Sequence, residues 1–165
     1  MKLFRYLAAA TIAAVSMSIP ALAKVDAGTV NLLETLDDYG ITVLYNPVGC
    51  GQGWLGQYTT KKVMSICYSG KPDAETHDTV RHETMHVLQH CAALRRGDQR
   101  GIVPLAINPT ERQQWVSQVL RSGHIDQIKS LYPARVHQIE LEAFAGAAHY
   151  NADQLASLVK DWCYK

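Results

Sequence analysis

The chain has no marked excess of charge of either sign, and this argues against partners that need a strongly charged protein surface. It contains 16 Lys and Arg against 15 Asp and Glu, so its formal net charge is +1. Without Lys2 and Arg5, which precede the first acidic residue, the net charge is about −1. Proteins that bind nucleic acid carry a clear excess of basic side chains for the phosphate backbone. We therefore expect no nucleic-acid partner.

Long apolar runs are also missing, except at the N-terminus. There Lys2 and Arg5 are followed by an apolar or small-residue run at 7–19 and by Ala-Leu-Ala at 21–23. This order is typical of a secretory signal peptide, and the run is short for a membrane span. We predict that residues 1–23 are a cleaved signal peptide; an uncleaved anchor is the alternative.

The remainder, residues 24–165, has no internal repeat and no low-complexity tract. About 142 residues are enough for one core and too few for two comfortable domains. We expect a single exported domain, periplasmic or extracellular, that is monomeric and leaves the membrane once the signal peptide is cleaved.

The chain has four cysteines and lacks Cys-x-x-Cys spacing, so a zinc site built from cysteines is not expected. An even number of cysteines in an exported protein favours disulfides. Three pairings are possible. We prefer Cys50 with Cys67, which closes a local loop, and Cys91 with Cys163, which ties a central helix to the C-terminus.

Hydrophobic periodicity predicts an α+β fold. Residues 41–45 and 62–68 are typical of β-strands, and residues 47–56 between them form a glycine-rich loop. We expect a small antiparallel sheet that packs on a long helix and is followed by a mostly helical C-terminal half. The predicted helices cover residues 30–39, 76–94, 111–121, 125–132, 134–150 and 152–162.

The run His-Glu-Thr-Met-His at residues 82–86 carries the clearest chemical signal. In a helix, residues i and i+4 lie on one face about 6 Å apart, so His82 and His86 can bind one Zn²⁺ through bonds of about 2.0–2.1 Å. Glu83 then lies beside the metal, where it can act as a general base on a water molecule. The alternative is an amphipathic helix with surface histidines.

Across residues 79–88 the chain resembles the consensus of the zincin metallopeptidases. The two positions between Glu83 and His86 are uncharged, Val87 and Leu88 are apolar, and neither Pro nor Gly interrupts the helix. The resemblance implies a zinc peptidase. The metzincin subclass is excluded, because Gln89 stands where the metzincin pattern has Gly.

A catalytic zinc needs a third protein ligand. His90 lies about 12 Å along the helix axis from His82, too far to share a metal, and is expected to be exposed or to support the ligands from behind. Glu140 and Glu142 are the remaining candidates. They project about 200° apart on a helix, so only one can face the zinc.

We favour Glu142, because its helix face is mostly small or apolar, and keep Glu140 as the alternative. A glutamate on a later helix resembles the gluzincins, in which Glu followed by Ala and an aromatic is frequent, as in Glu142-Ala143-Phe144. The gluzincin pattern usually has Asp four residues after the ligand, and here Gly146 stands at that position.

A peptidase also needs a hydrogen-bond donor for the oxyanion. We prefer Tyr132 and His149 among the candidates Tyr132, His137, His149 and Tyr150. The resulting prediction is an exported zinc metallopeptidase that cleaves peptide or protein substrates, with His82, His86 and Glu142 as ligands. The resemblance further implies that the substrate lies extended along the sheet edge.

Two rival functions remain open on the sequence alone. One is a zinc hydrolase of non-peptide amides, which would use the same metal residues. The other is an exported binding or structural domain in which zinc only cross-links two helices, with Glu83 dispensable.

Overall fold

The computed structural model describes residues 26–50, 52–68 and 74–164. The expected signal peptide, residues 1–23, lies outside them. The elements are α1 (Ala27–Asp38), β1 (Thr42–Tyr45), β2 (Gly56–Thr59), β3 (Val63–Ile66), α2 (Ala74–Arg96), α3 (Pro109–Val119), α4 (Ser122–Leu131), a 3-10 turn (Ala134–Val136), α5 (His137–His149) and α6 (Ala152–Cys163). The α+β class is confirmed, and all six predicted helices are present with slightly shifted ends.

The sheet is mixed and not purely antiparallel. Its strand order is β1-β3-β2, with β1 parallel to β3 and β2 antiparallel to β3. The additional strand, β2, begins at the last residue of the segment predicted as a glycine-rich loop and covers residues for which no strand was predicted. It joins β3 through a tight turn in which Lys62 has a φ of 60° and donates its N–H to the Thr59 carbonyl. Because this hairpin reverses the chain once more, β3 runs in the same direction as β1.

Helix α2 is the centre of the molecule. It packs against β2 and β3 and against α5 and α6. All residues from 83 to 93 are buried, so this stretch of the helix is enclosed on every side, and the last three helix residues after it, 94–96, are exposed. The core around it consists mainly of aliphatic side chains, including Leu32, Leu36, Met64, Ile66, Met85, Val87, Leu88, Leu155 and Val159. This position makes α2 the rigid element from which the candidate site is built.

Local sequence signals explain where the helices start and stop. Asn151 caps α6 by accepting from Gln154 N–H, while the Gln154 side chain accepts from Asn151 N–H. Gly40 and Gly97 follow the ends of α1 and α2 with φ of 82° and 63°, a left-handed conformation that glycine adopts without strain. None of the described helices is long and apolar enough to cross a bilayer.

Both preferred disulfides are present. Cys50 bonds to Cys67 across the loop before β2, and Cys91 on α2 bonds to Cys163 at the end of α6. The first fixes the loop that leads into β2, and the second joins the central helix to the C-terminal helix. Both bonds are compatible with an oxidising compartment.

Candidate functional site

Helix α2 brings His82 and His86 together one turn apart. Their Nε2 atoms lie 3.2 Å from each other, and the ring planes are nearly perpendicular, at 87°. The two side chains are only 12% and 10% exposed. They are therefore not the surface histidines of an ordinary amphipathic helix, because both nitrogen atoms converge on one sheltered point.

Glu140 on α5 completes this arrangement. Its Oε2 lies 3.4 Å from Nε2 of His82 and 3.6 Å from Nε2 of His86. In a tetrahedral zinc site with bonds of about 2.0–2.1 Å, neighbouring ligand atoms lie about 3.3–3.4 Å apart. The three donor atoms thus form a triangle of the size that such a site requires. We call His82, His86 and Glu140 the three-donor group, and it could hold a metal ion.

The structure does not bring Glu142, the preferred third ligand, to the histidines. Its carboxylate is buried and accepts hydrogen bonds from the backbone N–H groups of Leu105 (2.6 Å) and Ala106 (3.0 Å) and from Gln89 Nε2 (2.9 Å). The alternative, Glu140, is the glutamate that lies against the two histidines. The small and apolar residues that share a helix face with Glu142 did not identify the glutamate that meets the histidines. That face packs α5 inside the protein, whereas a ligand at a pocket lies at the boundary of the core.

The charges of the three-donor group favour a cation. Burial by itself would raise the pKa of Glu140, but hydrogen bonds from His82 and His86 hold it at about 2. Burial lowers the pKa of His82. Burial also acts to lower the pKa of His86, yet the neighbouring carboxylates of Glu140 and Glu83 raise it overall. Two carboxylates therefore act on two sheltered imidazoles, an environment that stabilises positive charge.

Glu83 lies beside the three-donor group without belonging to it. Its side chain is buried and lines the same pocket as His82. Burial raises the pKa of Glu83 to about 7; the charge of Glu140 adds to the rise, while His86 and a hydrogen bond from the Tyr58 backbone oppose it. A carboxyl group with a pKa near neutrality can both accept and return a proton.

Strand β2 reaches Glu83 because residue 56 has no side chain. A Cβ at Gly56 would lie 2.6 Å from Cγ2 of Thr79 and 2.7 Å from Oε1 of Glu83. These distances are too short for carbon, so only glycine lets the strand pack against α2 at this point. Gly146 has the same role on α5, where a Cβ would overlap the Met85 side chain.

The two histidines differ in what supports them from behind. Nδ1 of His86 lies 2.8 Å from Oε1 of Gln89. Nδ1 of His82 is buried and has no hydrogen-bond partner among the described residues. Instead, the ring of Phe144 packs 4.3 Å from the His82 ring, centroid to centroid. Phe144 stands four residues after Glu140, about one turn along α5, so the contact with the His82 ring comes from the same helix as Glu140.

A pocket of about 810 Å³ opens over His82 and Glu83. One wall is the segment 53–56, which leads into β2, and the other walls come from α3, α4 and α5. Exposed charges are present on the first turns of α2. Most of the remaining lining is apolar: Trp54, Leu55, Leu120, Leu131, Tyr132, Phe144, Ala147 and Ala148. The volume is within the range typical of small-molecule and peptide-residue pockets.

The structure separates the two predicted oxyanion donors. Tyr132 lines the pocket, and burial raises its pKa to about 12, with added contributions from Glu140 and Glu83. His149 is exposed at the end of α5, where its ring contacts Trp115 and does not line the pocket. Tyr132 is therefore the candidate that shares the pocket with Glu83.

His90, expected to be exposed or to support the ligands from behind, is buried. Its Nδ1 lies 2.8 Å from the Tyr58 hydroxyl. It therefore joins α2 to β2 and takes no part in the three-donor group. It still acts indirectly on the site, since Tyr58 is also the residue whose backbone contacts Glu83.

Three features of the site were not identified from the sequence: the hydrogen bond of Gln89, the close approach at Gly56 and the packing of Phe144. A local signal existed for the first, because Gln89 stands three residues after His86 and so lies on the same helix face. The other two depend on how β2 and α5 pack against α2, which no local pattern reveals.

No protein-family model, curated protein or solved structure matches this chain.

Proposed function

We propose that the chain is an exported zinc-dependent peptidase in which the three-donor group holds the metal and Glu83 is the general base. The observation that carries this proposal is that His82, one member of the three-donor group, lines the same pocket as Glu83, a buried carboxylate outside the group. A structural zinc site would instead be closed by four protein ligands.

The donor set supports zinc as the metal. Two imidazole nitrogens and one carboxylate oxygen are common ligands of catalytic zinc, and three protein ligands leave a fourth position for water or substrate. When bound, zinc polarises a carbonyl group and lowers the pKa of a water molecule toward 7.

Glu83 moves the proton in the proposed reaction. Its carboxylate accepts a proton from the water molecule whose oxygen attacks the peptide carbonyl carbon. It then donates this proton to the leaving nitrogen as the C–N bond breaks. The hydrogen bond from the Tyr58 backbone fixes the carboxylate between these two positions.

Tyr132 is the proposed donor to the oxyanion. Its raised pKa, about 12, keeps the hydroxyl protonated at neutral pH, so it can donate a hydrogen bond. Nε2 of His137 lies 2.7 Å from the carbonyl oxygen of Tyr132. This contact holds the Tyr132 backbone against the start of α5.

The substrate is proposed to bind as an extended strand along β2. This strand is at the outside of the sheet, and Gly56 at its start lines the pocket. An edge strand can pair with an extended peptide, and the apolar walls can accept its side chains. The two disulfides support the proposed export of the protein.

The decisive experiment combines zinc content with cleavage of a mixed peptide library for wild type, Glu83→Gln and a control, Glu34→Gln, on the exposed surface of α1. We expect about one zinc per wild-type chain and peptide cleavage. Glu83→Gln should keep the zinc and lose about 10²–10⁴-fold in rate, since that is the usual contribution of a general base. Glu34→Gln should behave as wild type.

Other outcomes would redirect the proposal. Zinc without peptide cleavage, but with Glu83-dependent hydrolysis of other amides, would favour the non-peptide hydrolase. Zinc with no hydrolysis at all would favour a structural site. A wild-type chain that binds no zinc would refute the metal assignment.

A further inference from the structure

Among the described residues, Glu142 is the most deeply buried carboxylate, and the proposed reaction does not use it. Its side chain is 2% exposed, and no Lys or Arg is found among its hydrogen-bond partners in the described part of the chain. Burying a carboxylate is costly unless hydrogen bonds replace its water. Here three N–H groups do so, and one of them belongs to the side chain of Gln89, which also contacts His86.

The orientation of the Gln89 amide follows from its partners. Its Nε2 donates to the Ile139 carbonyl (3.0 Å) and to the Glu142 carboxylate (2.9 Å), both of which can only accept. A flipped amide would place oxygen against both of these oxygens. Oε1 must therefore face His86, 2.8 Å from Nδ1.

This orientation decides which nitrogen of His86 carries the proton. Because Oε1 of Gln89 is an acceptor, Nδ1 of His86 must be the donor. In the neutral ring, which is the form that binds a metal, Nε2 is then left with a free lone pair, and it is the atom that faces His82 and Glu140. A hydrogen bond of this kind fixes both the tautomer and the ring angle of a metal-binding histidine.

The same carboxylate also anchors the chain between α2 and α3. It accepts from the backbone of Leu105 and Ala106, while Arg96 donates to the carbonyls of Pro104 and Leu105 from the exposed side. Arg96 thus holds the same segment but does not touch the histidine. A substitution at Arg96 therefore tests the role of holding the 104–106 segment separately from any role at His86.

We propose that Glu142 is a positioning residue for the metal site: through Gln89 it sets the tautomer and orientation of His86. The proposal rests on the proposed zinc function, since it concerns how His86 is prepared as a ligand. Glu142 itself touches neither the three-donor group nor the pocket. Its effect should appear as metal affinity, because outer partners of this kind typically contribute 10- to 100-fold.

The test is a chelator-competition titration with Zn²⁺, together with the visible absorption spectrum of the Co²⁺-loaded protein. The variants are Gln89→Met, Glu142→Gln, the double variant, and Arg96→Met as the control for the 104–106 segment. In Glu142→Gln one carboxylate oxygen becomes an NH₂ group, which cannot accept from the N–H donor that faced it, and the negative charge that holds the Gln89 amide is lost. We expect each single substitution to weaken zinc binding about 10- to 100-fold and to alter the Co²⁺ spectrum.

The double variant tests whether the two residues act in series. If Glu142 acts through Gln89, then Glu142→Gln should add nothing to the affinity loss of Gln89→Met. Arg96→Met should lower thermal stability at most and leave zinc affinity unchanged. If Glu142→Gln does not fold, Gln89→Met measured against wild type still decides whether His86 depends on this contact.

The outcomes separate this inference from the proposed function. Wild-type zinc affinity in folded Glu142→Gln or Gln89→Met would overturn the positioning role while leaving the metal site intact. An affinity loss in Arg96→Met equal to that in Glu142→Gln would also overturn it, because it would trace the effect to the segment alone. Failure of wild type to bind zinc would instead refute the proposed function.

Discussion

Helix α5 carries two glutamates, one on each side of its contact with α2, and the hydrogen-bond partners of the two carboxylates differ. On the histidine side, Glu140 faces His82 and His86, and His82 lines the pocket. On the loop side, Glu142 is enclosed, and backbone N–H groups and Gln89 occupy its oxygens. The two glutamates are only two residues apart on the same helix.

The difference shows what distinguishes a ligand from a structural carboxylate. Both oxygens of Glu142 accept hydrogen bonds from the protein, three in all, and the side chain is enclosed, so it is not directed at an external group. Glu140 has only the two histidines as partners among the described residues, and both can rearrange around a cation. Burial alone does not identify the ligand; the type of partner does.

The largest expected effect comes from Glu140→Gln, which removes the charged donor from the histidine side. We expect zinc affinity to fall by more than the roughly 100-fold upper figure for an outer partner, and therefore by more than in Glu142→Gln. Chelator competition measures both. If the order were reversed, with Glu142→Gln the more damaging, our assignment of the third ligand would be wrong.

Tyr132→Phe should affect the reaction and not the metal. Loss of one oxyanion donor typically costs 10²–10³-fold in kcat, so we expect that fall in peptide cleavage with unchanged zinc content. Tyr150→Phe is the matched control, because Tyr150 packs on Trp115 and His149 outside the pocket. Equal activity of the two variants would remove Tyr132 from the mechanism.

Gly56→Ala should displace Glu83 through the overlap described above. A misplacement of about 1 Å can reduce a rate by about 10²-fold, and we expect a loss of that order in kcat/KM with zinc still bound. Gly123→Ala is the control, since a Cβ there meets nothing within 4 Å. Full activity in Gly56→Ala would mean that β2 does not constrain the base.

The smallest structural effect should follow removal of the metal, which we expect to leave the fold unchanged. The loop side is held by backbone contacts and by the Cys91–Cys163 disulfide, and neither needs zinc. We expect a chelator to leave the far-ultraviolet circular dichroism unchanged and the Leu105 and Ala106 amides protected from hydrogen exchange. Unfolding on chelation would instead favour a structural zinc that joins both sides.

The features that the sequence predicted are those that depend on nearby residues. The spacing of His82 and His86 is a property of one helix, and the six helices follow from periodicity and capping. The direction of β1 against β3 could not be predicted, because it depends on β2, a strand that the sequence pattern did not predict. The choice between Glu140 and Glu142 depended on the 105–106 backbone, which lies more than one helix away along the chain.

The Cys91–Cys163 disulfide has a consequence for how the chain responds to proteolysis. It closes a ring of chain that contains Glu140, while His82 and His86 lie on the segment before it. The turn after α2 is exposed around residues 99–100 and is the kind of place where nicking occurs. A single cut between Cys91 and Glu140 leaves the two fragments covalently joined, with the histidines on one and the glutamate on the other. Only a cut combined with reduction would free the two halves of the site from each other.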